Sequence, residues 1–129
     1  MKTTEEIMQI VQDLGLAMAD SEQYHALRAA EEALAADTAA QDKLAAVEAL
    51  RADMRARLEG GAAPETLQES LAELRQMNMG LSEYPTVATV NEARMAFQQL
   101  NTQVETLLRL HTGQGGDCGG NCAGCSGCG

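Results

Sequence analysis

Val90, Ala93, Phe97, Leu100, Val104 and Leu107 step by three and four along the C-terminal half of the chain. Such spacing over more than two heptads places them on one side of a helix and gives it a coiled-coil seam. Pro85 stands where the helix begins, with its ring already set for a first helical turn. The helix is then about 37 Å long at roughly 1.5 Å per residue. A rod of that length with one apolar stripe must be covered along its whole length. The rest of the chain has little bulk to cover it. Of 129 residues, 22 are alanine, only Tyr24, Tyr84 and Phe97 are aromatic, and there is no Trp. Alanine favours helix but buries little area, so a thin helical hairpin is expected, with a second subunit covering the remaining stripes.

The other elements follow the same logic. A first helix runs from about Thr4 to Ala19, with Ile7, Ile10, Val11, Leu14 and Met18 on one face. Ser21 is placed to cap a second helix with Tyr24, Leu27 and Leu34 on its apolar side. Asp37 caps a third, carrying Leu44, Val47, Leu50, Met54 and Leu58, that stops at Gly60-Gly61. Pro64 suits the first turn of a fourth, whose inner face holds Leu67, Leu71 and Leu74. The expected fold is all-α: two short helices followed by a long helical hairpin, as a homodimer.

From Gly113 the composition changes. Eight of the twelve glycines and all four cysteines lie in the final stretch, which ends "DCGGNCAGCSGCG". The chain therefore divides into a helical domain, residues 1–112, and a Cys/Gly-rich tail, residues 113–129. With almost nothing apolar, the tail alone cannot offset the entropy of ordering it, and it is expected to be disordered until something binds.

The charge is −10, with no basic footprint. Direct binding to a nucleic-acid backbone is not expected. "MKTTEEIMQIVQD" holds no apolar run long enough for a signal peptide or a membrane span, so a cytoplasmic, reducing location is expected. There, cysteines serve more often as metal ligands or redox groups than as structural disulfides.

Cys118, Cys122, Cys125 and Cys128 form C-x3-C-x2-C-x2-C. The last three reproduce the C-x2-C-x2-C run that holds three corners of a [4Fe-4S] cluster in bacterial ferredoxins. Cys118 or a partner chain would supply the fourth ligand. Zinc is the alternative, although zinc sites usually set two C-x2-C pairs on separate knuckles. The triple Cys118, Cys122 and Cys125 also has radical-SAM spacing, but the strand-rich barrel of those enzymes is not foreshadowed. Free or redox-active thiols remain the third reading.

Other chemistry is sparse. Glu22 and His25 make one E-x-x-H, half of a di-iron carboxylate motif whose second half is missing. A surface or capping role is expected for His25. His111 suits the negative end of the last helix, with a further ligand to the tail's metal as its alternative. No Ser/His/Asp set, nucleophile elbow or phosphate loop is found, and no enzymatic activity is expected.

Two stretches, "LGLAMADSEQYHALRAAEEALAADTAAQDKLAAV" and "YPTVATVNEARMAFQQLNTQVETLL", followed by the cysteine tail, carry a family resemblance. Leu14-Gly15 before Ser21, Leu27, Ala30, Asp37 at the third helix and Pro85 at the last resemble the YlbF/YmcA family of bacterial regulators. The likeness covers about Ile7 to Leu110, and the tail resembles that of the YlbF branch. It implies an all-helical, dimer-forming protein without catalysis of its own. It further implies association with a YmcA-like paralogue and a YaaT-like PSP1-domain protein in a complex containing [4Fe-4S] clusters. Through that complex it implies an indirect link to RNase Y, messenger RNA processing, competence, sporulation and biofilm formation.

Overall fold

The computed structural model describes residues 1–113, and the four tail cysteines lie outside them. Five α-helices follow one another, with no strand among the described residues: α1 Thr4–Ala19, α2 Glu22–Ala36, α3 Thr38–Glu59, α4 Gln68–Glu83 and α5 Pro85–His111. The helical boundaries expected from caps and prolines hold. The turn at Pro64–Leu67 is 3-10 rather than α, so α4 begins at Gln68.

Local chemistry explains each end. Thr3 and Glu6 form a reciprocal capping box: the Glu6 amide donates to Thr3 Oγ1 at 3.2 Å, and the Thr3 amide to Glu6 Oε2 at 2.7 Å. Ser21 Oγ accepts from the Tyr24 amide at 3.1 Å and opens α2. At the far end of α3, Gly61 takes φ 91°, a left-handed value that glycine adopts without a Cβ penalty. There the Ala62 amide donates to the Arg57 carbonyl at 3.0 Å and the Gly61 amide to Leu58 at 3.1 Å, which is a Schellman stop.

α3 and α4 form the expected hairpin, tied near its loop by Arg57 Nη2 donating to Ser70 Oγ at 2.6 Å. The longest helix does not simply extend that hairpin. α5 packs chiefly along α2 and only secondarily against α4. Two contacts fix the α2–α5 pair as antiparallel. Thr86, in the first turn of α5, bonds Asp37 at the end of α2, and Phe97 stacks on Tyr24 near its start, with ring centroids 5.5 Å apart.

The core is thin, as the alanine content requires. Its buried residues are Ala30, Ala40, Val47, Met54, Leu67, Leu81, Val87 and Val90. Val47, Leu81 and Val87 make its centre, flanked by Leu34, Leu44, Leu74, Met77 and Tyr84. Ala40 has no exposed surface at all, so α3 starts in close contact with its neighbours. α1 contributes nothing to this core. It meets α2 sparingly and buries no residue.

Candidate functional site

The described part of the chain joins around Asp37. This residue ends α2 and caps α3: its Oδ1 accepts from the Ala40 amide at 3.1 Å. Its Oδ2 accepts from Thr86 Oγ1 at 2.8 Å, across 49 positions of sequence. The amide bond from Ala40, then the Thr86 hydroxyl, hold this carboxyl below its ordinary range, because each donates to the charged form. One residue therefore joins three helix ends: its carboxylate holds the starts of α3 and α5, and its backbone amide donates to the Leu34 carbonyl at the end of α2. Beside it, Tyr84 packs on the central cluster with the Lys43 ammonium 5.6 Å from its ring centroid. This joint is structural: it fixes where α5 points.

The other end of the molecule is different. Ile7, Ile10 and Val11 on α1 are 45%, 54% and 53% exposed, although they share one face with Leu14 and Met18. On α5, Val90 is buried and Phe97, Leu100 and Val104 are half-buried, but Leu107 and Leu108 are each 57% exposed. α5 runs past the start of α2, and from Glu105 to His111 every residue of it is exposed. The two apolar stripes read from the sequence are both present, each half-buried over part of its length and exposed toward one end. Contiguous exposed apolar surface of this kind marks a site of association.

A second charge-poor strip lies on the outer side of α5. Met95, Gln99, Thr102 and Thr106 follow each other along it, and from Met95 to Val104 there is no charged residue. Thr102 and Thr106 spend their hydroxyls on the helix itself, donating to the carbonyls of Gln98 at 3.0 Å and Thr102 at 2.8 Å. They therefore present methyl groups outward. A shallow groove between α3 and α4 is lined by Lys43, Ala46, Val47, Gln76, Met77, Gly80 and Leu81.

The candidate chemistry of the sequence divides unevenly. Cys118, Cys122, Cys125 and Cys128 lie outside the described residues. His25 is exposed at the α1–α2 corner, its Nε2 3.0 Å from Asp20 Oδ1, which is the surface role expected of it. His111 sits exposed in the last turn of α5 with Arg109. Among the described residues no group of three or more His, Cys, Asp or Glu side chains converges on a metal site. Among them, too, no helix is long and apolar enough to cross a membrane. Sequence reasoning did not single out the Asp37–Thr86 bond. Asp37 was legible as a cap, but its second partner follows only from how α5 packs.

A thin all-helical molecule with open apolar stripes belongs to the class of helical proteins that work by association. A sequence model of the family described as "Control of competence regulator ComK, YlbF/YmcA" matches residues 7–109. The chain belongs to that family of regulators. No curated protein and no solved structure matches it.

Proposed function

We propose that the chain is a non-enzymatic regulatory adaptor of the YlbF type that acts in the cytoplasm by assembling with other proteins. Its helices supply the docking surface, and Cys122, Cys125 and Cys128 supply three thiolate ligands to a [4Fe-4S] cluster, completed by Cys118 or by a partner chain. The partners are a YmcA-like paralogue and a YaaT-like PSP1-domain protein, alongside a second copy of this chain. Through them the complex bears on RNase Y, messenger RNA processing and the competence, sporulation and biofilm programmes.

Family membership over residues 7–109 is the observation that carries this reading. The open stripes of α1 and α5 support the docking role. Four thiols at C-x3-C-x2-C-x2-C are a soft donor set suited to iron–sulfur chemistry. The acidic surface leaves RNA to a partner.

The test is anaerobic co-purification with the two candidate partners, followed by metal analysis. Iron and sulfide in the complex, with broad absorption near roughly 400 nm, are expected. Changing Cys122, Cys125 and Cys128 together to Ser is expected to remove the iron and weaken assembly without melting the helices. A serine variant that still bound iron and assembled normally would overturn the cluster. A colourless complex holding zinc would assign the tail to a zinc site instead.

A further inference from the structure

We infer that the groove between α3 and α4 docks a basic amphipathic helix from a partner protein. That face is distinct from the α1 and α5 stripes, and the inference rests on the reading of the chain as an adaptor.

The groove has the form a third helix needs. Val47 and Leu81 are buried at its floor, Met77 is half-buried beside them, and its volume is about 440 Å³. Its rims are low, because they carry exposed Ala46 on α3 and exposed Gly80 on α4. A small-molecule site encloses most of its ligand. A shallow trough between two helices suits instead the apolar face of a helix laid along it.

Gly80 points the same way. It lies within α4, before the Tyr84 cap, and does not take a left-handed φ. Glycine at such a position weakens a helix relative to alanine. A tight turn or a close neighbour is the usual reason to accept it, and neither applies. Within 4 Å of where a Cβ would stand there is no packed neighbour. What the missing side chain leaves clear is the groove, down to the α4 backbone.

Charge names the occupant. Glu69, Glu73, Gln76, Gly80 and Glu83 recur at helical spacing and form one exposed strip of α4. The groove therefore lies between Glu69 and Glu73 on one side and Glu83 on the other. Glu69 and Glu83 are about 21 Å apart at roughly 1.5 Å per residue. None of the three carboxylates makes an ion pair among the described residues. Glu69 and Glu73 stand one turn apart as like charges, which disfavours the helix until a cation joins them. Among the described residues Lys43 is the one cation lining the groove, and it sits 5.6 Å from the Tyr84 ring centroid. A helix with aliphatic residues over Ala46 and Gly80, and with Lys or Arg toward both ends of the strip, matches this pattern. The α1 helix of a second copy does not, because it carries Glu5 and Glu6 and no basic residue in its last turn.

The test titrates the reduced full chain with a synthetic peptide, in about 150 mM salt to screen diffuse attraction to the acidic surface. The probe is an alanine, leucine and lysine helix of about 20 residues, roughly 30 Å long, with its leucines on one face and lysines flanking them. Saturable binding is expected by fluorescence anisotropy, with NMR amide shifts at Ala46, Met77 and Gly80. A peptide of the same composition, its leucines scattered around the helix, is expected to bind about tenfold more weakly or worse. Gly80→Leu fills the trough while favouring helix, so it is expected to raise the dissociation constant about tenfold without lowering Tm. Glu73→Lys with Glu83→Lys is expected to raise it about fivefold, and decides in its place should Gly80→Leu not fold. Glu32→Lys with Glu92→Lys makes the same charge change at exposed positions off the strip and is expected to stay within about twofold of wild type. No saturable binding by the amphipathic probe, equal binding by the scattered one, or unchanged binding by Gly80→Leu overturns the proposal. So does altered self-association of Gly80→Leu in sedimentation, which would make a second copy the occupant. The assay involves neither iron nor the tail cysteines, so its failure leaves the adaptor and cluster reading standing.

Discussion

The joint around Asp37 and the far end formed by α1 and the last turns of α5 are built from the same kind of sequence and end in opposite states. Both carry apolar residues at helical spacing. At the joint, Val47, Leu81 and Val87 are buried against one another, and the starts of α3 and α5 share one carboxylate at the end of α2. At the far end, Ile10, Val11, Leu107 and Leu108 face outward. The difference lies in what chain geometry can reach. α2, α3, α4 and α5 return on one another through short turns, whereas α1 meets α2 sparingly and buries no residue. An apolar stripe shows that a face will be covered, but not by which molecule.

The largest separation between the two regions is expected from truncating their central side chains. Leu81→Ala removes a side chain from the middle of the core, and calorimetry is expected to show a loss of about 2–4 kcal/mol of folding stability. Ile10→Ala, equally apolar, is expected to leave the monomer's stability within about 0.5 kcal/mol of wild type, because more than half of that residue is already exposed. Equal losses would erase the distinction.

Leu100→Asp is expected to fall between them, since Leu100 stands half-buried at the boundary of the two regions. It places a charge on the α5 stripe, so both the melting temperature and the dimer fraction are expected to drop. An unchanged dimer fraction in sedimentation would move the interface elsewhere.

Acid sharpens the comparison from the other side. The Asp37 carboxyl is held below its ordinary range by the Ala40 amide and the Thr86 hydroxyl. Its contribution is therefore complete above the unfolded carboxylate range, about pH 4, and is lost as pH falls through the lower folded value. Asp37→Asn keeps an acceptor for the Ala40 amide but does not titrate. Its acid unfolding curve is expected to be flatter below about pH 4 than that of wild type. Superimposable curves would remove Asp37 from the joint.

The smallest effect is expected from deleting residues 113–129. A segment so rich in glycine and so poor in apolar side chains has little to add to folding, so the melting temperature is expected to stay within a few degrees of the full chain's. A fall of about ten degrees or more would mean that the tail is packed on the helices.

Helix existence and ends were legible because their causes are local. Ser21, Asp37, Gly60-Gly61 and Pro85 act within a turn of the chain and can be read as caps and stops, whereas the Thr3–Glu6 capping box emerged only in the structure. The residues that organise the packing were harder to see. Leu81 and Val87 lie near the α4–α5 break, outside the long periodic runs, and Ala30 and Ala40 matter for being small. The pairing of α5 with α2 depends on contacts such as Asp37–Thr86 and Tyr24–Phe97, which no local pattern encodes. The candidate site divides along the same line. The α1 and α5 stripes were legible as faces, while their exposure required the fold. The cysteine spacing was legible as a ligand set, and its geometry lies beyond the described residues.

Hydrogen–deuterium exchange of the full chain across a range of protein concentrations tests the central claim most directly. The amides around Val47, Leu81 and Val87 are expected to be protected at every concentration at which the chain is folded, because that region closes within one copy. The amides of α1 and of α5 beyond Phe97 are expected to gain protection only as concentration rises and a second copy covers them. Exchange in α1 and distal α5 that stays the same from low to high concentration would contradict the account.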